Sequence, residues 1–465
     1  MREKIVTVLF AVGVVWGSFQ LGGDVLTSTN FYVAILVGTI PVLICGSIIL
    51  RNQGPDRRFL ARVFIAALAA RYFLAYIIYS KNLQAFLGGD ALTYNGFGYA
   101  LAQSWMGLVD ENAFWLVRYT NTQTSGFGMF YLVAGVYYVI GQNQFAIQLI
   151  NCGLGAGASI AAYKIAMLVY PNERVARSAA IMTAFSPSLI LWTSQALKDG
   201  PIVLCICLCI LYTLKVRTKV EVKSFILLLV SLGCLYTLRH YMSYIMFTAI
   251  AGAFLFTTTK KFTPFRMLQG AVLVMVIGLA FSYFGAGESA RTSLDLKRIQ
   301  SSREWNAKAA NSGFGGDVDI TDPKAAIEFL PLGLLYVLFA PFPWMISNLR
   351  QLITLPELIA WWCLFPMMLK GYWFVIRNRL RESFVVCTFV VGVTLAFALF
   401  ESNAGTAYRH RSQVYVFFFI FMAIGLELRR AAKESRRLQR QPFPSRLAST
   451  KIPSIANNTA NLPAR

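Results

Sequence analysis

The sequence predicts an all-α, polytopic integral membrane protein with about twelve transmembrane helices plus interfacial or re-entrant helices. Of its 465 residues, 57% are hydrophobic, and the mean hydropathy is +0.56. Apolar stretches of about 20 residues recur along the chain, which is the length that crosses a bilayer. The formal net charge is +22, but the basic residues concentrate in connectors at residues 51–58, 215–223 and 377–381. Charge placed in this way is typical of membrane topology, so no nucleic-acid partner is expected.

Length and hydropathy place the transmembrane segments. The predicted spans are residues 5–21, 31–50, 60–79, 146–168, 178–196, 201–216, 224–238, 241–258, 266–284, 357–376, 384–400 and 413–428. The apolar stretches 127–141 and 329–346 are assigned to interfacial or re-entrant positions, because counting either as a crossing would place basic connectors on both sides. In the second stretch, Pro331, Pro341 and Pro343 are also expected to leave an uninterrupted helix of only about ten residues.

The chain divides into a transmembrane domain, residues 1–428, and a basic tail, residues 429–465. Both ends are predicted to be cytoplasmic, so the long loops 80–145 and 285–356 face outward. The tail contains Lys, Arg, Pro, Ser and Asn, and we expect a disordered cytoplasmic segment near anionic lipid. The cysteines all lie in apolar runs and fit neither a zinc site nor a disulfide framework, so they are interpreted as packing residues.

The first outward loop opens with an acidic residue, Asp90, in the sequence Gly88-Gly89-Asp90-Ala91-Leu92-Thr93-Tyr94. Tyr99, Ala100 and Trp105 continue at a spacing that fits an amphipathic helix on the membrane surface. A carboxylate held there could deprotonate an acceptor hydroxyl or bind a metal, because a general base must lie close to the reacting oxygen. The alternative is that Asp90 caps the helix that begins after it.

Lys198 and Asp199 form a second candidate pair, at the end of a span beside the outer surface. Lys198 could bind a phosphate group, while Asp199 orients an acceptor or a cation. The alternatives are a local ion pair between the two residues, or a cap for the span that begins at Pro201.

Two clusters pair arginine with the only histidines of the chain: Arg239-His240 and Arg409-His410-Arg411. Each lies in a short break between apolar runs and faces outward, against the bias that keeps cations on the cytoplasmic side. The arginine fork suits phosphate oxygens, and histidine can donate a hydrogen bond or move a proton near neutral pH. The alternative is that the arginines reach to lipid headgroups at span ends.

The acidic residue in the first outward loop, with Tyr94 four positions later and a surface helix, resembles the polytopic GT-C glycosyltransferases. A second similarity is Phe185-Ser186-Pro187-Ser188 with Trp192, followed by Ala196-Leu197-Lys198-Asp199-Gly200. The resemblance covers roughly residues 60–260. It implies a sugar donor carried on polyprenyl phosphate, a site on the outer face of the membrane, and Asp90 as the catalytic base. The loop has no second acid adjacent to Asp90, so no metal site is assigned, and a divalent cation stays open.

The second outward loop carries basic residues among Asp, Ser and Gly. They include Arg291, Lys297, Arg298, Arg303 and Lys308. Such a loop could close over a sugar chain and its phosphates, as lids do. The alternative for most of these charges is an ordinary solvated face. The segments 341–344 and 409–411 also resemble proteins of bacterial surface-polysaccharide assembly.

The resulting prediction is an integral membrane glycosyltransferase in the bacterial cytoplasmic membrane. It would transfer a sugar or oligosaccharide from a polyprenyl-(di)phosphate carrier to a glycan or lipid-linked acceptor on the outward face, in the synthesis of cell-surface polysaccharide or glycolipid. Asp90 is the expected catalytic base. The expected substrate-binding and phosphate-binding residues are Tyr94, Lys198, Asp199, Arg239, His240, Arg409, His410 and Arg411.

Three alternatives remain at the level of sequence. One is a polymerase or ligase that moves a whole oligosaccharide from its lipid diphosphate, and another is a non-catalytic subunit of an export complex. The third is a transporter or flippase for lipid-linked sugar. A transporter should show charges or broken helices near mid-membrane and two similar halves, whereas the charges here gather at one face.

Overall fold

The computed structural model describes residues 29–51, 56–108, 126–219, 221–255, 295–308, 312–346 and 352–440, with isolated positions 275 and 278. Within these ranges the regular secondary structure is helical, as predicted, and the β-type pairing is one isolated bridge between Gly313 and Asn403. The predicted span 5–21, nearly all of 266–284, and residues 441–465 of the tail lie outside the described residues.

The helices are numbered in chain order. They are α1 (Thr29–Leu50), α2 (Asp56–Ser80), α3 (Gln84–Leu87), α4 (Asp90–Trp105), α5 (Phe127–Ile140), α6 (Gln144–Val169), α7 (Glu173–Phe185), α8 (Pro187–Thr193), α9 (Asp199–Thr218), α10 (Val222–Leu238), α11 (His240–Leu255), α12 (Leu296–Lys308), α13 (Pro323–Phe339), α14 (Leu355–Phe400), α15 (Ala404–Ser412) and α16 (Tyr415–Arg440).

Five helices among the described residues are long and apolar enough to cross a membrane, namely α1, α2, α6, α9 and α14. A sixth span results if α7 and α8, which meet at a bend of 53°, are counted as one broken crossing. The apolar helices α10 and α11 have only 17 and 16 residues, less than the roughly 20 residues that a bilayer requires. The chain is therefore a multi-pass membrane protein, but twelve spans are not confirmed.

The structure corrects two predicted helix limits. Helix α13 runs for 17 residues through Pro331, so the expectation that this proline ends the helix is wrong; one lost amide donor is tolerated in an apolar helix. The predicted spans 357–376 and 384–400 correspond to the two arms of α14, which is kinked at Arg379, where φ is −138° and ψ is 23°. Helix α16 continues to Arg440, because residues 429–440 are mostly strong helix formers; the first part of the predicted disordered tail is thus helical.

Helix α6 lies at the centre of the bundle and contacts α1, α2, α7 and α9. Its small residues permit this, because a Cβ atom at Gly153 would lie 2.7 Å from Pro41, and one at Gly155 would lie 2.5 Å from Thr193. Glycines four residues apart, such as Gly153 and Gly157, are typical of helices that pack closely in membranes. This close packing holds α8 against the centre of the bundle.

The basic connectors meet at one end of the bundle. Arg217, at the end of α9, donates to the carbonyl oxygen of Arg381 at 2.6 Å, and Arg177 on α7 bonds to Asp56 at the start of α2 at 3.1 Å. The breaks at residues 194–198, 239 and 401–403 lie at the other end. We call these the connector end and the site end.

Candidate functional site

An ion-pair bridge forms the centre of the site end. The Nη1 atom of Arg409 donates to Asp90 Oδ2 at 2.7 Å. Its Nη2 and Nε atoms donate to Asp199 Oδ2 at 2.6 and 3.0 Å. The Asp199 side chain is 1% exposed, whereas that of Asp90 is 57% exposed. The ring of Trp192 lies 5.4 Å from the Arg409 guanidinium carbon. One arginine thus joins a buried carboxylate to one that solvent and substrate can reach.

Asp90 occupies the first position of α4, where Gly88 has a φ of 152° and turns the chain. A side chain would be strained at that φ, which explains the glycine. The Asp90 carboxylate makes no capping hydrogen bond to α4 and binds Arg409 instead. The capping alternative is therefore not what the structure shows. Tyr94, one turn later, is buried and packs on Phe130 with ring centroids 5.4 Å apart.

The turn before α9 positions Asp199. The side-chain amide of Asn151 on α6 donates to the carbonyl oxygens of Gln195 and Leu197 at 2.7 and 2.6 Å. Gln413, at the junction of α15 and α16, donates to Asp199 Oδ1. Asp199 consequently pairs with Arg409 across the fold, and neither alternative, a local ion pair with Lys198 or a side-chain cap of α9, is observed.

Arg239 is the single residue between α10 and α11 and is 4% exposed. It donates to the Tyr241 hydroxyl at 2.8 Å, to Gln413 Oε1 at 3.2 Å and to His410 Nε2 at 3.0 Å. These three acceptors carry no negative charge when the histidine is neutral. Burial at this depth excludes the lipid-headgroup alternative for Arg239, because the guanidinium is bonded inside the protein.

His410 links Arg239 to Glu401. Because arginine can only donate, His410 Nε2 must accept, and the proton is on Nδ1, which donates to Glu401 Oε1. Burial lowers the pKa of His410, and this outweighs the opposing effect of Glu401. Burial raises the pKa of Glu401, but His410 and Arg239 bring it below its usual value. The pair is therefore a neutral imidazole bound to an ionised carboxylate.

Lys198 immediately precedes α9, with its ammonium beside Gly126. A Cβ atom at Gly126, where φ is 98°, would lie 2.8 Å from Lys198 Nζ. Burial lowers the pKa of Lys198 to about 7; Arg239 and Arg409 act in the same direction, and Asp199 and Asp90 oppose it. No hydrogen bond or ion pair of the Lys198 ammonium occurs within the described part of the chain. Lys198 is thus a partly buried amine without a close counter-ion there.

Within the described residues, Arg411 and His240 make no hydrogen bond to the ion-pair bridge, although burial and the nearby Lys198 both lower the pKa of His240. Arg411 is fully buried and donates to the carbonyl oxygens of Val337 and Leu338 and to the Tyr415 hydroxyl. His240 stacks on Tyr236 with ring centroids 4.5 Å apart. The structure therefore brings together Asp90, Lys198, Asp199, Arg239, Arg409 and His410, while Arg411 anchors α15 to α13 and α16.

Sequence reasoning missed Glu401, Gln413 and Glu357 as site residues. Glu401 follows an apolar run directly and lies in the same break as Arg409, which is a signal that could have identified it. Glu357 accepts from the hydroxyls of Ser186 and Tyr408 and lies in the first turn of α14. No local pattern marks Gln413, because its role depends on meeting Asp199 across the fold.

The described part of the second outward loop docks beside this site. Phe314 donates its amide to the Ser402 carbonyl at 2.7 Å, and Ala404 donates to that of Ser312 at 3.0 Å. Arg303 is fully buried and stacks 4.1 Å over Phe329, so a solvated face is excluded for this residue. Arg291 lies outside the described residues. In the described ranges, no group of three or more His, Cys, Asp or Glu side chains is arranged to hold a metal ion.

Comparisons with known proteins agree with the predicted resemblance. Residues 125–284 match the family model of dolichyl-phosphate-mannose-protein mannosyltransferases. Searches of curated proteins and of solved structures give no significant match. The matched stretch includes Lys198, Asp199, Arg239 and His240 but not Asp90 or the Arg409 cluster. Over residues 125–284, this chain is thus similar to a GT-C type glycosyltransferase domain, which confirms the resemblance inferred from the sequence.

Proposed function

We propose that the protein is a membrane glycosyltransferase that transfers a sugar or oligosaccharide from a polyprenyl-(di)phosphate carrier to an acceptor. The bridge in which Arg409 joins the exposed Asp90 to the buried Asp199 is the observation that carries this proposal. The family match supports a lipid-linked sugar donor. The proposed setting is the outward face of the bacterial cytoplasmic membrane, with a glycan or lipid-linked acceptor of the cell surface.

In this proposal Asp90 accepts the proton of the acceptor hydroxyl, and the hydroxyl oxygen bonds to the anomeric carbon of the donor sugar. The bond between that carbon and the phosphate oxygen breaks, and its electron pair stays with the departing phosphate. The exposed carboxylate of Asp90 suits this role, since the acceptor can reach it. Because Asp90 and Asp199 both bond to Arg409, the proposal assigns no divalent cation to them.

Lys198 and Arg239 are the proposed phosphate-binding residues. Arg409 is compensated by two carboxylates, whereas Arg239 bonds to neutral side chains and Lys198 has no close counter-ion in the described ranges. A donor phosphate would give these two cations an anionic partner at hydrogen-bond distance. Cations aimed at a leaving phosphate stabilise the charge that develops as the bond breaks.

The remaining candidates serve mainly as supports in this proposal. His410 orients Arg239 through its Nε2 atom, and Glu401 fixes the tautomer of the ring. Asp199 and Gln413 hold Arg409 and Arg239 at a fixed separation. Arg411 anchors α15, and Tyr94 supports the start of α4.

A flippase for lipid-linked sugar is the second candidate, and one observation favours it. Arg71 is fully buried in the span α2 and lies beside the broken span formed by α7 and α8. Broken helices and charges within the bilayer are typical of transporters. A direct assay must therefore separate transfer of the sugar from movement of the lipid.

The test uses the full chain in proteoliposomes with a radiolabelled sugar on polyprenyl phosphate and a mixed acceptor extract. Glycosylated product together with free polyprenyl phosphate is the expected result. Asp90→Asn should lower turnover by at least about 100-fold, with donor binding retained. Asp317→Asn, which alters an exposed carboxylate of the second loop, is the matched control.

Two outcomes would contradict the proposal. Equal turnover of Asp90→Asn and wild type would remove this carboxylate as the base. Donor lipid that crosses the bilayer with its sugar intact, without any product, would establish the flippase instead.

A further inference from the structure

One backbone hydrogen bond is missing at the bend between α7 and α8. In an unbroken helix, the amide of Ser188 would donate to the carbonyl oxygen of Ala184, four residues earlier. Here Pro187 and the 53° bend separate the two groups. The Ser188 amide donates instead to Glu357 Oε2 at 3.0 Å, and the Ala184 oxygen accepts from Arg71 at 2.8 Å. Each half of the missing helix bond is therefore taken by a charged side chain from another helix.

Arg71 bonds to the last turn of α7 and to the end of the seven-residue helix α8. Besides Ala184, its guanidinium donates through Nε to Thr193 Oγ1 at 2.9 Å, and Thr193 is the last residue of α8. Arg71 is 0% exposed, so water cannot replace it at either position. A buried backbone oxygen without a donor is costly, which makes the break dependent on this side chain.

Glu357 connects the break to the ion-pair bridge. Its Oε1 atom accepts from the hydroxyls of Ser186 and Ser188 at 2.7 and 2.9 Å, and its Oε2 atom also accepts from the Tyr408 hydroxyl. Tyr408 directly precedes Arg409 on α15. On the other side of Glu357, the chain runs from Ser186 and Ser188 through α8 to Asp199. One carboxylate thus contacts both segments that carry the central pair.

We propose that Glu357 and Arg71 are positioning residues that fix the bend between α7 and α8 and thereby set the separation between Asp199 and Arg409. The hydrogen bonds across the break supply the argument, because four donors converge on Glu357 and only an ionised carboxylate accepts from all of them. The structural part of this inference is independent of the reaction, while its consequence for turnover rests on the proposed function.

The first test measures hydrogen–deuterium exchange of residues 186–199 in lipid nanodiscs. In Glu357→Gln, the side-chain NH₂ group faces groups that are themselves donors, so the Ser188 amide loses its acceptor. Its exchange should accelerate by about tenfold, the effect of losing one hydrogen bond. Arg71→Lys should also accelerate exchange within residues 186–199, because lysine cannot bond to both Ala184 and Thr193. Glu328→Gln is the matched control, since Glu328 is exposed on α13, and it should leave this segment unchanged.

The second test separates positioning from general folding. Glu357→Gln should lower kcat and leave the donor KM within about threefold, because the phosphate-binding Lys198 and Arg239 are not its partners. Tyr408→Phe, which cuts only the link to α15, should lower kcat less and show no further effect in the Glu357→Gln background.

Unchanged exchange at Ser188 in Glu357→Gln would overturn the inference, as would additive effects of the two substitutions. If a variant fails to reach the membrane, Ser186→Ala tests the same break with the loss of one hydroxyl. Absence of glycosyl transfer by the wild type would contradict the proposed function alone, since the exchange measurements do not depend on it.

Discussion

The two ends of the bundle hold their charges in different ways. At the site end, Arg239 and Arg411 are 4% and 0% exposed, and their bonding partners are side chains and carbonyl groups of other helices. At the connector end, the side chains of Arg174 and Arg177 are 61% and 38% exposed and pair with carboxylates near the surface. Buried charges require fixed partners, whereas solvated charges do not.

The connector end also contains a cleft, with a volume of about 390 Å³, which includes Arg174, Arg177, Arg430 and Glu427 in its lining. Each of these arginines has a carboxylate partner: Glu427 for Arg174, Asp56 and Glu173 for Arg177, and Glu434 for Arg430. Positive charge there is balanced locally. At the site end, by contrast, neither Lys198 nor Arg239 forms an ion pair within the described contacts, which is why the proposed function assigns the donor phosphate to these two residues.

The largest expected effect is on the buried half of the ion-pair bridge. Asp199→Asn removes the charge that holds Arg409, so turnover should fall by at least about 100-fold through misplacement of the site. The free energy of unfolding should fall by about 3 kcal/mol, because Arg409 loses its buried partner and keeps only the exposed Asp90. Asp56→Asn removes an arginine partner at the connector end and is the matched control. Equal losses in the two variants would show that burial does not distinguish the two ends.

A smaller effect, on stability alone, is expected at Arg411. Arg411→Lys loses most of the bonds to Val337, Leu338 and Tyr415, so the free energy of unfolding should fall by about 2 kcal/mol. The measurement is the midpoint of thermal unfolding in detergent, which should be lower in the variant. Turnover per folded molecule should stay within about threefold of wild type. Arg177→Lys should leave both quantities unchanged. A rise in the donor KM of Arg411→Lys would instead place this residue in phosphate binding.

The smallest effect concerns pH and Lys198. Because burial lowers the pKa of Lys198 to about 7, its positive charge is present below that pH and is lost as the pH rises through it. The donor KM should therefore rise by up to about tenfold per pH unit above 7. His410 contributes little in this range, since its pKa is lowered below its usual value. Lys198→Arg keeps its charge and should flatten the profile; an unchanged slope in that variant would exclude Lys198.

Much of the helix pattern could be predicted from the sequence, because an apolar run of sufficient length has few alternatives to a helix in a bilayer. The predictions failed at two helix limits. Pro331 was expected to end a helix and does not, and residues 429–440 were expected to be disordered but continue α16, because neighbouring helix formers outweighed those local signals. The break predicted between the spans 357–376 and 384–400 is present as the kink of α14 at Arg379.

The site shows the same division between local pattern and tertiary contact. Charge at the ends of apolar runs determined, from the sequence alone, that Asp90, Lys198, Asp199, Arg239 and the Arg409 cluster were candidates. Only the tertiary structure decided that Arg409 pairs with Asp199, 210 residues away, and with Asp90, 319 residues away. It also decided that Arg411 turns into the protein and that Glu357 joins the broken span to α15. Composition and order set which segments are buried in the membrane, but pairing between distant side chains depends on how helices pack, and no local pattern encodes that geometry.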